Sequence, residues 1–87
     1  MDFDKLKALT VLADTLSFNR AADQLHMSPS TLSRLINQME EELNVTLFVR
    51  NNRSVLITQA GKRCTEYARN ALEELQTLQM ELKQADR

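Results

Sequence analysis

The spacing of apolar and polar residues changes three times along the chain, and each change predicts a new element. Phe3, Leu6, Leu9, Leu12, Ala13 and Leu16 recur at spacings of three and four, the period of an amphipathic helix with one face on a core. Asp2 and Asp4 stand at its start, where the positive end of the helix dipole favours carboxylates. A short second helix follows, with Ser17 or Asn19 as its cap and Ala21, Ala22 and Leu25 turned inward. Two adjacent alanines let another helix approach closely. His26 and Met27 end this helix, and Ser28-Pro29 opens a third: serine is a favoured N-cap, and proline in the first helical position loses no hydrogen bond. Met27 and Leu32 occupy the two positions of a hydrophobic staple. Leu32, Leu35, Ile36, Met39 and Leu43 form the core face, and Asn44 sits where a left-handed residue commonly ends a helix.

Beyond Asn44 the helical period stops. Leu47–Arg50 and Ser54–Ile57 are short apolar or β-branched runs on either side of Asn51-Asn52-Arg53, which predicts a small hairpin with the asparagines in its turn. Thr58 can cap a last helix running to about residue 85. The predicted order is helix, helix, helix, hairpin, long helix, without internal repeats or low-complexity linkers. Thr58 marks the one boundary, between residues 1–58 and residues 59–87.

Charge matters here through its placement. The formal net charge is -1, which by itself does not point to a polyanionic partner. Yet no acid lies between Glu42 and Glu66, a span that holds Arg50, Arg53, Lys62 and Arg63, whereas the chain from Cys64 onward is net acidic. A local basic strip is enough to bind phosphates. The remaining composition excludes function classes. One cysteine and one histidine leave no set of metal ligands and no intrachain disulfide, and a lone thiol suits the reducing cytoplasm. A single glycine, Gly61, rules out a glycine-rich phosphate loop. No Ser/His/Asp or Cys/His set assembles, and the carboxylates at Glu40–Glu42 and Glu73–Glu74 fall within helical patterns as solvated charge. Neither an enzyme nor a cofactor or metal site is expected, and no apolar run is long enough to span a bilayer.

The third helix has an unusual polarity. With Leu32 at the centre of the buried side, 100° per residue puts Ser30, Arg34, Asn37 and Glu41 on the opposite side, with Ser33 and Thr31 flanking. Hydroxyls, an amide and a guanidinium are the groups that hydrogen-bond base edges and phosphate oxygens. Backbone N–H groups around Ser28 to Thr31 add positive potential at the helix start. The three glutamates come only later, where a helix entering a groove by its N-terminus would already be leaving it. With the short helix before it and the turn His26-Met27-Ser28, this makes a helix-turn-helix pattern over about residues 18–37. Arg50 and Arg53, beside the hairpin turn, could reach a DNA backbone or an adjacent minor groove.

The stretch SFNRAADQLHMSPSTLSRLINQMEEELNVTLFVRNNRSVLITQAG resembles the N-terminal winged helix-turn-helix of the LysR-type transcriptional regulators. The SF..AA..LH opening, the S.LSR.I...E.EL helix and the LF.R..R.V.IT.AG segment carry the likeness, which extends over the whole chain. SPSTLSR and LFVRNNRSV are most similar to the members that activate branched-chain amino-acid synthesis. The resemblance implies a mainly α fold: three helices, a β-hairpin wing over about residues 47–57, and a long dimerisation helix. It implies a cytoplasmic bacterial regulator that binds double-stranded DNA, with the third helix in the major groove and the wing on the adjacent backbone or minor groove. By position, Ser30, Thr31, Ser33 and Arg34 fall on the groove-facing start of that helix, and Arg50 and Arg53 on the wing; Asn37 joins them from the face reading above. Many members have Gln-Pro where this chain has Pro29-Ser30, so a glutamine that commonly reads a base is missing. Asn44 stands in place of a frequent glycine. Members continue into a larger effector-binding domain of two α/β lobes, and any small-molecule effector is expected to act only through that domain.

In the last helix Cys64, Ala68, Ala71, Leu75, Leu78, Leu82 and Ala85 alternate spacings of four and three, a heptad seam. Part of this stripe is expected to lie on the first helix of its own domain. Past Leu72 the chain offers no further intramolecular partner, so Ala68, Ala71, Leu75, Leu78 and Leu82 are the expected interface of a homodimer, or of a tetramer at full length. Cys64 reads as a small packing residue. A dimer would set two recognition helices on an interrupted inverted repeat. The competing reading is a winged helix used as a protein-interaction module, docking by its long helix, though such a module has no need of an acid-free wing.

Overall fold

The structure, a computed structural model, describes residues 1–85, and its elements are α1 (Phe3–Thr15), α2 (Phe18–Gln24), α3 (Pro29–Leu43), β1 (Phe48–Arg50), β2 (Val55–Ile57) and α4 (Gln59–Ala85). Local chemistry sets most of the boundaries. The Asp2 carboxylate accepts from the Lys5 N–H at 2.9 Å to start α1, and Ser17, not Asn19, caps α2 by accepting from the Arg20 N–H at 3.2 Å. Ser28 caps α3 through the Thr31 N–H at 3.1 Å, with Pro29 in the first turn. Three left-handed residues, Leu16, His26 and Asn44, end the first three helices or turn the chain just beyond them. At His26 the N–H bonds back to the Asp23 carbonyl and the Met27 N–H to the Ala22 carbonyl, the paired bonds of a Schellman turn. Asn44 and Val45 repeat the arrangement on Glu41 and Glu40.

The core joins Leu6, Ala8, Leu9 and Leu12 of α1 with Ala21 and Ala22 of α2, Leu32, Ile36 and Met39 of α3, Leu47, Phe48 and Ala68 of α4. α1 packs on α2, α3 and α4 together, so more than one face of it is covered. That is why Ala8 and Thr10, off the expected stripe, are buried. The ends of the stripes run past the core: Phe3 (48% exposed), Leu16 (39%) and Leu43 (37%), expected inside, are only partly covered. Ala21 and Ala22 are fully covered, as close approach of a neighbouring helix requires.

β1 and β2 pair antiparallel, Phe48 with Ile57, Val49 with Leu56 and Arg50 with Val55, one residue shorter on each side than the sequence suggested. The turn does not use left-handed asparagine backbone. Instead the Asn51 side-chain oxygen accepts from the N–H groups of Arg53 and Ser54, both at 2.8 Å. Thr58 joins this hairpin to α4. Its hydroxyl donates to the carbonyls of Thr46 (2.6 Å) and Leu47 (3.1 Å) and accepts the Gly61 N–H (2.9 Å), capping the helix. Gly61 is buried where a Cβ would lie 2.3 Å from the Leu47 carbonyl oxygen. The close approach of hairpin base and helix explains the chain's one glycine.

α4 has two unlike halves. Gly61, Thr65 and Ala68 are buried and Cys64, Ala71, Leu72 and Leu75 half-buried, whereas every residue from Gln76 to Ala85 is exposed. This corrects one expectation: Ala68, assigned to the dimer seam, is wholly buried within its own chain against the core that α1 supplies. Twenty-seven helical residues reach roughly 40 Å, and the molecule measures 53 × 25 × 19 Å because the distal half projects from the body. Among the described residues no helix is long and apolar enough to cross a membrane.

Candidate nucleic-acid interface

The first turns of α3 carry the candidate site. Ser30, Arg34 and Asn37 are exposed along one side and Thr31 and Ser33 half-buried beside them. Ser30, Ser33, Arg34 and Asn37 line a shallow cleft with Phe18 and Pro29, closed on the hairpin side by Arg50. Capping occupies part of this surface. The Thr31 hydroxyl accepts from Ser28 at 2.9 Å and its N–H is held by the same serine. Pro29 has no N–H, so Ser30 supplies the free one among these three first-turn positions.

The two hairpin arginines are placed differently. Arg53 lies exposed at the tip, and among the described residues no acid pairs with it or with Arg34. Arg50 turns back onto the helices. Its guanidinium donates to Ser33 Oγ at 2.6 Å and to Asn37 Oδ1 at 2.8 Å, and lies 4.3 Å from the centre of the Phe18 ring. Arg50, Ser33 and Asn37 thus form one connected group, and Arg53 stands apart from it. The sequence reading found all three residues but not their connection or the part of Phe18; an arginine at the hairpin edge within the acid-free span was the available signal.

The glutamates at the other end of α3 are not idle charge. Glu40 Oε2 accepts the N–H groups of Leu47 (2.7 Å) and Phe48 (3.3 Å), so it holds the entry to β1. Glu42 takes Lys5 Nζ at 3.0 Å and the N-terminal ammonium at 3.3 Å. The hydrogen bond from Lys5, then that from the N-terminal ammonium, lowers its pKa below the ordinary value of 4.5. Sequence reasoning missed these roles although a signal was present. Three carboxylates at a helix C-terminus oppose the dipole, and that penalty needs partners to offset it. The result is polar segregation: no acid occurs from Gln24 to Met39, and two of the three that follow are bound on other surfaces.

With this geometry in place, known proteins give the class. Residues 3–62 match the bacterial regulatory helix-turn-helix proteins of the lysR family, and the chain belongs to that family. The transcriptional activator IlvY of Haemophilus influenzae is 42% identical over 83 residues, which cover 95% of this chain and 28% of IlvY. The transcriptional dual regulator OxyR of Escherichia coli is 44% identical over 78 residues, covering 90% of this chain and 26% of OxyR. The chain therefore spans little more than a quarter of these curated relatives. Its fold matches CbnR_DBD from a crystal structure of a DNA complex, with a TM-score of 0.95 at 31% identity over the whole of both chains.

Proposed function

We propose that this chain is the DNA-binding part of a cytoplasmic bacterial transcription regulator that reads an interrupted inverted repeat as a dimer and catalyses no reaction. The observation that carries the reading is the polar N-terminal half of α3: Ser30, Ser33, Arg34 and Asn37 are presented together with no acid between Asp23 and Glu40. The fold likeness to a domain crystallised with DNA supports it. Residues 1–58 serve as the winged helix-turn-helix, with Ser30, Thr31, Ser33, Arg34 and Asn37 at the major groove and Arg53 on the flanking backbone or minor groove. The segment 59–87 serves for linking and dimerisation, pairing through Ala71, Leu75, Leu78 and Leu82 of α4. A small-molecule effector would act through a further domain of the kind its longer relatives have room for.

Fluorescence anisotropy tests this with a labelled inverted-repeat duplex from beside the protein's own gene and a scrambled duplex of equal length, each at two salt concentrations. Preference for the repeat, with affinity falling steeply in salt, is expected, and the slope gives the number of phosphates neutralised. Arg34→Ala should weaken specific binding more than non-specific binding; equal losses would assign Arg34 to phosphate. Absence of binding to any duplex at low salt would instead favour a protein-interaction module.

A further inference from the structure

We propose that Arg50 is a positioning residue that fixes the hydrogen-bonding polarity of α3, so that Ser33 and Asn37 offer donors rather than acceptors to the base edges. The proposal rests on the DNA reading above. A guanidinium has five N–H donors and no acceptor. The atom of Asn37 facing Arg50 must therefore be the carbonyl oxygen, as the 2.8 Å contact to Oδ1 has it, and the amide NH₂ is turned away from Arg50. Ser33 Oγ likewise accepts from Arg50 at 2.6 Å, which leaves its own hydrogen to be donated elsewhere.

Phe18 holds the arrangement in place. The guanidinium lies over its ring at 4.3 Å, and Phe18 packs at the edge of the core, so the fork is held by a face contact as well as by its two hydrogen bonds. Arg34, on the same cleft, is also a pure donor. The reading surface thus meets the DNA as a set of donors. In the major groove, guanine N7 and O6, thymine O4 and adenine N7 accept, whereas cytosine N4 and adenine N6 donate. An asparagine free to turn pairs bidentately with adenine, using its oxygen for N6 and its nitrogen for N7. An asparagine whose oxygen is turned onto Arg50 cannot swing it onto adenine N6 without giving up that bond, so the pair is disfavoured. The position opposite Asn37 should then favour guanine, whose N7 and O6 both accept, or thymine, over adenine, whose N6 donor beside N7 is left without a partner.

The test selects bound sequences from a duplex library randomised across both half-sites, using the 87-residue chain and its Arg50→Met, Arg50→Lys and Asn37→Ala variants. Asn37→Ala should flatten the preference at one position in each half-site. Arg50→Met, which keeps bulk but no donor, should turn that position toward adenine by roughly fivefold or more, the scale of a bidentate contact, and leave unchanged the positions that neither Asn37 nor Ser33 faces. Arg50→Lys keeps the charge but has no planar fork to hold both partners, and should move the same position in the same direction. It carries the test if thermal melting shows that the methionine variant does not fold. A merely structural arginine would weaken all sequences together without altering any preference. The proposal is overturned if Arg50→Met lowers affinity for every sequence alike and reduces the salt slope by about one, as loss of a phosphate contact would. It is also overturned if Asn37→Ala changes no position. Failure of the unsubstituted chain to enrich any motif would instead refute the DNA reading itself, and this inference with it.

Discussion

Replacing Gly61 by alanine should destabilise the protein, against the usual direction of that change in a helix. Helix propensity alone favours alanine over glycine by about 1 kcal/mol. Here the added Cβ would stand 2.3 Å from the Leu47 carbonyl oxygen, 2.7 Å from Ile57 Cγ1 and 3.1 Å from the Leu47 carbonyl carbon. The carbonyl cannot retreat freely. It accepts the Thr58 N–H at 3.0 Å and the Thr58 hydroxyl at 3.1 Å, and the Leu47 side chain is fully buried. Forcing an extra carbon into packed surroundings costs about 1–3 kcal/mol, and weakening the hydrogen bonds to that carbonyl adds about 1 kcal/mol. After the propensity gain, a net loss of about 2 kcal/mol remains, which for a domain of this size lowers the melting temperature by roughly 8–16 °C. Circular dichroism melts of both proteins at one concentration measure it. An alanine variant as stable as the parent, or more so, would mean that α4 does not press on the hairpin base as described.

The other expectations concern the carboxylates and the projecting helix. Glu40→Ala strips two backbone N–H groups of their acceptor and should cost about 2 kcal/mol in urea unfolding, with Glu40→Gln costing less because its amide oxygen still accepts; equal stability of all three would remove Glu40 from the fold. Glu42 has a lowered folded pKa, so its stabilising contribution is complete above the ordinary value of 4.5 and is lost as the pH falls through the folded value. The parent should exceed Glu42→Gln slightly at neutral pH and converge with it on acidification; a gap that grows in acid would contradict the pairing with Lys5. Leu75→Asp or Leu78→Asp should give monomers in sedimentation, and a dimer that persists would refute pairing through the distal half of α4.

Most of the architecture was legible because it rests on local chemistry. Ser28-Pro29 opens α3 as a favoured cap and first residue should, and Asn44 closes it in the left-handed conformation expected of asparagine. Thr58 caps α4, and the hairpin lies where the helical period stops. What the sequence did not reveal depends on distance in space. No local rule says that Glu40 reaches past the end of its own helix to the N–H of Leu47, or that Arg50 leaves the hairpin for Ser33, Asn37 and Phe18. Ala68 shows the same limit from the other side. A heptad records which residues share a stripe, and the stripe is continuous from Cys64 to Ala85, but what covers each part of it is decided by where the rest of the chain runs out.

That division of α4 bears on how the molecule would work as a pair. Its first half is fixed to the helical body at several points: Thr58 joins it to the hairpin, Gly61 lies against Leu47, Ala68 is packed in the core, and Arg69 pairs with Asp14 of α1 at 2.6 Å. The exposed Arg69–Asp14 pair adds little by itself; the buried contacts set the direction of the helix. α3 is fixed to the same core through Leu32, Ile36 and Met39. The angle between α3 and the distal half of α4 is therefore a property of one packed body rather than of a hinge. Two such bodies joined through Leu75, Leu78 and Leu82 would present two α3 helices at one separation, so the spacing of half-sites would follow from rigid geometry. A change at Gly61 that tilts α4 should then alter the preferred spacing as well as the stability, while changes on the exposed side of α3 should alter only which bases are chosen.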